Sequence, residues 1–256
     1  MRILLTNDDG IDALGIRALA EALSPEHEVV IVAPDSQRSG ASHSFTLYSP
    51  LRCRRTTLPG LSEIEAYAVN GTPVDCVKLA FGNLPFEPNL LIAGINCGEN
   101  RGTDVFYSGT VAAAMEAALL GIPAIAASCI SFEMANVRDI ARVFAGIVRS
   151  LAARGVPKDL FINVNVPDLP YAELKGVAVT ALSNQTYENV YDERIDTRGQ
   201  KYFWIPSGKT TCCSPDDDND ERWGNDGYVV VTPLKADITD FALFAQCRDM
   251  FGDVLQ

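Results

Sequence analysis

The chain has 256 residues, of which 47% are hydrophobic and 21% charged, a composition that is typical of a folded globular protein. Its 21 basic and 33 acidic residues give a net charge of -12, which disfavours binding to nucleic-acid polymers or membrane surfaces but not to a small phosphorylated ligand. No apolar run reaches the length of a membrane span, and the first ten residues lack the pattern of a signal peptide.

Segments typical of strands and helices alternate along the first 166 residues. Apolar, often β-branched runs predict strands, and apolar side chains spaced about 3.6 residues apart predict helices. The strands are predicted over residues 2–6, 28–33, 89–95, 123–128 and 160–166. The helices are predicted over residues 13–23, 73–81, 110–120 and 135–153, the second of them with Thr72 as its N-cap. Because the strands are continuously apolar, this alternation predicts an α/β fold with a doubly wound, Rossmann-like, mostly parallel sheet.

The pattern changes after about residue 182. Residues 184–225 show no helical spacing, and the acidic run at 216–221 is interpreted as a solvated, mobile loop. A strand over 227–232 and a final helix over 239–245 follow. We therefore predict a catalytic domain over residues 1–182 and an extended, β-rich arm over residues 183–256.

The predicted arm is rich in aromatic side chains that a free monomer would expose. They are Tyr187, Tyr191, Tyr202, Phe203, Trp204 and Trp223. A loop longer than ~15 residues is uncommon in a compact domain, and an aromatic-rich segment is not typical of disorder. We therefore predict that the arm packs against a second copy of the chain in a homodimer or larger homo-oligomer.

The numbers of cysteines and histidines indicate whether the chain is stabilised by disulfides or by zinc. The seven cysteines are odd in number, none forms a C-x-x-C pair, and only two histidines are present. These counts disfavour both a disulfide framework and a Cys/His zinc site. We expect a reduced, cytoplasmic protein.

Polar residues follow three of the predicted strands. Asp8 and Asp9 follow the first strand, Ser39 lies in the loop after the second, and Asn96 follows the strand that ends at residue 95. Ligands of open parallel sheets bind beyond the carboxyl ends of the strands, so these loops are expected on one rim. Two adjacent carboxylates repel each other unless a cation or a proton intervenes, and oxygen ligands favour Mg²⁺, Mn²⁺ or Ca²⁺. The alternative is a solvated turn with an aspartate helix cap.

A second group of candidate residues could contact a phosphorylated substrate. Ser108, Gly109 and Thr110 stand at the start of a predicted helix, where free N–H groups and the helix dipole favour phosphate, although a simple N-cap is the alternative. His43 and Asn100 lie in the predicted site loops and are further candidates for substrate contact. Neither a G-x-G-x-x-G fingerprint after the first strand nor a P-loop is present, which disfavours dinucleotide binding and ATP hydrolysis.

Five segments in order resemble one family, the SurE (survival protein E) family. They are ILLTNDDGIDALGIRALAEAL, APDSQRSGASHSFT, NGTPVDCVKLA, INCGENRGTDVFYSGTVAAAMEAALLGIPAIAAS and GYVVVTPL. The resemblance implies a phosphohydrolase acting on nucleoside 5′- and 3′-monophosphates, and sometimes on short polyphosphate. It also implies homodimers or homotetramers that exchange C-terminal elements.

The resemblance also implies a set of ligands. One Mg²⁺ or Mn²⁺ ion per subunit would bind to Asp8, Asp9, Ser39 and Asn96, and the phosphate-side loop would match residues 108–110. Cys97 stands where the family usually has a smaller residue, which leaves the ligand set intact.

The residues leave three mechanisms open. The favoured one is hydrolysis by metal-activated water, with Asp8 and Asp9 acting through the cation. A second uses one of these aspartates as a nucleophile, but haloacid-dehalogenase-like phosphatases separate their two aspartates by one residue, and adjacent side chains diverge. The third is a regulatory module that binds nucleotide and metal without turnover.

Overall fold

The fold is built around a nine-stranded sheet. The computed structural model describes residues 1–184, 186–187, 191–205, 210–211, 218–252 and 254. Its strands are β1 (Arg2–Thr6), β2 (Glu28–Pro34), β3 (Cys53–Thr56), β4 (Glu65–Val69), β5 (Leu90–Asn96), β6 (Ala124–Ile130), β7 (Phe161–Pro167), β8 (Val177–Val179) and β13 (Val229–Pro233). Two small antiparallel pairs stand apart from it, formed by β9 (Thr186–Tyr187) with β12 (Thr210–Thr211) and by β10 (Asp192–Ile195) with β11 (Lys201–Trp204).

The order of the strands places a crevice beside β1. The sheet runs β3-β4-β2-β1-β5-β6-β7-β13-β8, and the six strands from β4 to β7 are parallel. The chain moves from β1 outward to β2 and later returns to the other side of β1 with β5. Such a reversal is the point of an open α/β sheet where ligands bind. The predicted doubly wound, mostly parallel α/β fold is therefore confirmed.

Helices cover both faces of the sheet. Those that pack on its parallel strands are α1 (Leu14–Leu23), α2 (Pro73–Asn83), α3 (Gly109–Leu119) and α4 (Val137–Arg154), and the short helix α5 (Asp220–Asn225) contacts β13 and β7. Helix α6 (Phe241–Phe251) has no buried residue. In β1, Ile3 and Leu5 join the core under α1 and α4, whereas Leu4 joins the core under α2 and α3. Both faces of the central strands are buried, which explains their continuously apolar sequences.

The predicted elements of the first 166 residues all form, with ends shifted by a few residues, but the nine-stranded sheet contains three strands that the sequence does not predict. Strand β3 is an exposed edge strand with the sequence CRRT, so it carries no apolar signal. Strand β4 pairs with β2 in parallel, but its sequence EAYAV contains only one β-branched residue, and β8 has only three residues. Short strands lack enough alternation for a pattern to identify them.

The segment beyond residue 182 contains more structure than predicted. The expectation that residues 184–225 contain no helix is wrong, because Asn219 accepts a hydrogen bond from the Arg222 N–H at 3.0 Å and begins the short helix α5. The acidic run is also not wholly solvated, since Asp220 is fully buried. Strand β13 pairs antiparallel with β7 inside the main sheet. The division at residue 182 therefore stays a prediction, with one strand of the predicted arm completing the sheet.

The described aromatic residues of the hairpin β10–β11 are exposed in this single chain, and helix α6 has no buried residue. Tyr187 has no described side chain, and the pair Cys212–Cys213 lies outside the described residues. No described helix is long and apolar enough to cross a membrane.

Candidate active site

The acidic pair lies in a tight turn at the carboxyl end of β1. The fully buried Asn7 side chain holds this turn, donating from Nδ2 to the Gly10 carbonyl at 2.8 Å and accepting from the Gly10 N–H at 3.2 Å. Gly10 has a φ of +102°, in the region that favours glycine. The turn thus presents Asp8 and Asp9 at the strand end, as the sequence predicts.

The Asp8 carboxylate packs against the first turn of α3. Asp8 is 5% exposed and accepts a short hydrogen bond from the Thr110 hydroxyl. A Cβ at position 109 would lie only 3.0 Å from Asp8 Cβ, so glycine at that position permits the close approach. The pKa of Asp8 is raised to about 6, and burial of the carboxylate is the largest cause. The charge of Asp9 also raises this pKa, whereas the hydrogen bond from Thr110 lowers it.

The Asp9 carboxylate points to a different element. Its Oδ2 accepts from the Cys97 N–H at 3.0 Å, in the loop after β5, and burial raises its pKa. The two side chains therefore diverge, as expected for adjacent residues. Among the described residues, no ion pair joins either carboxylate to a basic side chain. This uncompensated charge fits a site for a divalent cation.

The loops that carry the other two candidate ligands contact the same turn. The Arg38 N–H donates to the Asp8 carbonyl at 2.7 Å, which brings the loop that contains Ser39 to this turn. The Ser39 hydroxyl itself is exposed and accepts from Gln37 Nε2 at 3.0 Å. Asn96 is the residue before Cys97, and its Nδ2 donates to the Gly98 carbonyl at 2.8 Å. Because the amide nitrogen is engaged in this bond, its Oδ1 is the atom left for a ligand role.

The donor set fits Mg²⁺ or Mn²⁺ better than zinc. It combines two carboxylates, one hydroxyl and one amide oxygen, and all four are hard ligands. No cluster of three or more His, Cys, Asp or Glu side chains suited to a metal occurs in the described part of the chain. Mg²⁺ is commonly bound by one or two carboxylates and retains several waters, so two carboxylates suffice. Binding of a metal by these residues stays a prediction.

The helix start predicted to bind phosphate has structural roles of its own. The Ser108 hydroxyl caps α3 by accepting from the Val111 N–H at 3.0 Å, while the Thr110 hydroxyl is fully buried and donates to Asp8. The N-cap considered as an alternative for Ser108 is therefore present. The first N–H groups of a helix have no partner within it, so contact between phosphate and residues 108–110 stays a prediction.

Two residues that the sequence did not reveal fasten the loop before α3 to the C-terminal segment. Buried Asp220 accepts from the Gly102 N–H and the Ser183 N–H, each at 2.8 Å. Buried Arg101 pairs with Glu99, and its Nη1 donates to the Glu221 carbonyl at 3.0 Å. Burial raises the pKa of Asp220. Nothing in a run of acidic residues indicates which carboxylate is buried, so only the structure identifies it.

The two remaining candidates have protein partners. His43 Nε2 lies 2.9 Å from Glu116 Oε2, and Lys78 donates to Glu116 Oε1 at 2.9 Å. Burial opposes ionisation of Glu116, but its hydrogen bonds with His43 and Lys78 outweigh burial and lower its pKa. His43 also lines a cavity of about 350 Å³ beside α3.

Asn100 is buried beneath the loop that follows β5. Its Nδ2 donates to the Ser128 hydroxyl at 2.8 Å, and its N–H donates to Asn165 Oδ1 at 2.8 Å. These bonds hold the loop that carries Asn96 against β6 and β7. Substrate contact by Asn100, like that by His43, stays a prediction.

Known proteins are similar to the chain over nearly its full length. A 5′-nucleotidase SurE from Heliobacterium modesticaldum is 42% identical over 253 residues, covering 98% of this chain and 92% of that protein. A 5′-nucleotidase SurE from Aeromonas hydrophila is 45% identical over 252 residues, covering 96% of each. The crystal structure of the Sure protein from Aquifex aeolicus has a TM-score of 0.83 and 36% identity, covering 98% of this chain and 99% of that one. The sequence model described as Survival protein SurE matches residues 3–189, and the chain therefore belongs to the SurE family.

Proposed function

We propose that this protein is a divalent-metal-dependent 5′-nucleotidase, which hydrolyses nucleoside 5′-monophosphates to nucleoside and inorganic phosphate. The name shared by its full-length relatives supports this activity. One structural observation carries the proposal: the Asp8–Asp9 turn packs against the first residues of α3. A cation at the carboxylates and a phosphate at the helix start would then be neighbours, as phosphate-ester hydrolysis requires.

Asp8, Asp9, Ser39 and Asn96 would hold one Mg²⁺ or Mn²⁺ ion per subunit. When bound there, the cation would neutralise phosphate charge and activate water for in-line attack. The Thr110 hydroxyl and the Cys97 N–H hold the two carboxylates apart and in place. The N–H groups at the start of α3 would orient the phosphate oxygens and stabilise charge that develops on them.

Hydrolysis by water is favoured over a phospho-aspartyl intermediate. A nucleophilic aspartate needs a free oxygen directed at phosphorus, whereas Asp8 and Asp9 each use one oxygen to accept a hydrogen bond and would use the other for the cation. Acid quenching of a reaction with radiolabelled phosphate ester tests this choice. Labelled protein would contradict direct attack by water.

Several finer properties belong to the same proposal. The substrates include nucleoside 3′-monophosphates and short polyphosphate, and the active form is a homodimer or homotetramer. Exposed aromatic residues on β11 and the absence of buried residues in α6 support an oligomer, because a second copy would cover them. A reducing, cytoplasmic location is supported by the free cysteines among the described residues, which are Cys53, Cys76, Cys97, Cys129 and Cys247.

A matrix of metals and substrates tests the function. Chelator-treated protein is assayed for phosphate release from 5′-AMP, 3′-AMP and tripolyphosphate with Mn²⁺, with Mg²⁺ and without metal. Asp9→Asn should be inactive, whereas Asp12→Asn, which makes the same change at an exposed site nearby, should retain activity. Metal-dependent binding of AMP without turnover would instead indicate a regulatory module.

A further inference from the structure

A large aromatic side chain stands exposed beside the candidate metal site. Phe132 is 82% exposed and lies two residues beyond the end of β6, on the same rim as the loops that follow β1 and β5. Single exposed apolar residues are common on protein surfaces, so exposure alone says little. The position of Phe132 is what distinguishes it.

Two contacts connect Phe132 to the loop of the candidate ligand Asn96. The Cys97 thiol donates to the Phe132 carbonyl at 3.2 Å, while the Cys97 N–H donates to Asp9. The ring lies against Gly98, where a Cβ would be 2.6 Å from Phe132 Cε1. The Gly98 carbonyl in turn accepts from the Asn96 side chain. Phe132 is therefore one residue away from two candidate metal ligands, from Asn96 through the contact of its ring with Gly98 and from Asp9 through the bond of its carbonyl with Cys97.

The loop that carries Phe132 is anchored on its far side. Met134 is buried in the core, and the Asp168 carboxylate accepts from the N–H groups of Ala135 and Asn136 at 2.8 and 2.7 Å. The same loop therefore directs Met134 inward and leaves Phe132 outward. An aromatic side chain on an anchored loop loses little conformational entropy when a ligand binds to it.

We propose that Phe132 is a stacking platform for the nucleobase of the substrate. The inference rests on the proposed function, because it requires a nucleotide whose phosphate binds at the start of α3, next to Asp8. Base–aromatic stacking tolerates every base, since each has a π-face. Phe132 would thus favour nucleotides over phosphate esters that lack a base, without selecting one base strongly.

Replacement of Phe132 separates base recognition from phosphate recognition. Phe132→Ala, Phe132→Leu and Phe132→Tyr are compared with AMP and with ribose 5-phosphate, in the presence of Mn²⁺. We expect the alanine variant to raise KM for AMP by about 5- to 150-fold, the range of stacking energies, with KM for ribose 5-phosphate nearly unchanged. Tyrosine should restore the wild-type KM, and leucine should not.

A matched control and a binding readout keep the result interpretable. Phe81→Ala removes another exposed phenylalanine, which lies near the C-terminal end of α2. This change should alter the KM of neither substrate. Equal losses for both substrates, or full rescue by leucine, would overturn the proposal. If the wild type released no phosphate from any substrate, the proposed function would fail. Calorimetric titration of the same variants with AMP and ribose 5-phosphate would still decide whether Phe132 binds the base.

Discussion

Replacing Gly109 with alanine should damage activity while leaving stability nearly intact. The new Cβ would lie 3.0 Å from Asp8 Cβ and 3.1 Å from its Oδ2, whereas carbon atoms pack comfortably at about 3.5–4.0 Å. The Asp8 carboxylate must therefore move by a few tenths of an ångström. Because a misplacement of about 1 Å can cost about 100-fold in rate, we expect kcat/KM to fall by about 3- to 10-fold, or roughly 0.6–1.4 kcal/mol.

Phosphate release from AMP with Mn²⁺ and thermal unfolding measure the two effects. Alanine is the better helix former, so the free energy of unfolding should fall by no more than about 1 kcal/mol. Gly146→Ala is the control, because a Cβ there meets no atom within 4 Å in the middle of α4. It should stabilise the protein and keep full activity. Unchanged kcat/KM for Gly109→Ala would refute the idea that close contact between α3 and Asp8 positions the site.

Four further outcomes are expected. Ser108→Ala should lower stability by about 0.5–2 kcal/mol through loss of the N-cap and weaken AMP in calorimetric titration, with Mn²⁺ affinity unchanged. Gly94→Ala should lower the stability by about 3 kcal/mol or more in thermal melts, because the φ of Gly94 is +136° and a Cβ there would overlap a carbonyl oxygen of β6. Glu116→Gln should cost about 1 kcal/mol in urea unfolding. Since the pKa of Glu116 is lowered in the folded state, that difference should be complete above its ordinary value of 4.5 and disappear as pH falls through the folded pKa. Light scattering should give a dimer or larger assembly through contacts of residues 184–256, and a single-chain mass at micromolar concentration would contradict this.

The sequence predicts the turn at β1 and its neighbours well because strand ends of a parallel sheet meet at one edge. Asp8, Asp9 and Asn96 each follow a strongly apolar strand, so their shared rim follows from local patterns alone. The hydrogen-bond partners of these residues do not follow from local patterns. That the Thr110 hydroxyl binds Asp8 depends on how α3 docks on the sheet, which no local pattern encodes.

Long-range contacts explain what the sequence did not reveal. Asp220 is 118 residues from Gly102, and its buried role depends on α5 lying against the loop before α3. Its neighbours in sequence are mostly acidic, so composition favours a solvated loop there. Phe132 differs in the opposite sense: phenylalanine side chains are most often buried, but the structure leaves this one exposed at the rim.

The proposed function requires that Asp8 and Asp9 hold a divalent cation. The most direct measurement is titration of the protein with Mn²⁺, following the electron paramagnetic resonance signal of the free ion, in the wild type, Asp8→Asn and the exposed control Asp12→Asn. We expect one site per subunit in the wild type and the control, and an affinity at least about tenfold weaker in Asp8→Asn, a loss of about 1.4 kcal/mol or more. Equal Mn²⁺ affinity in all three proteins would show that Asp8 is not a ligand of the cation.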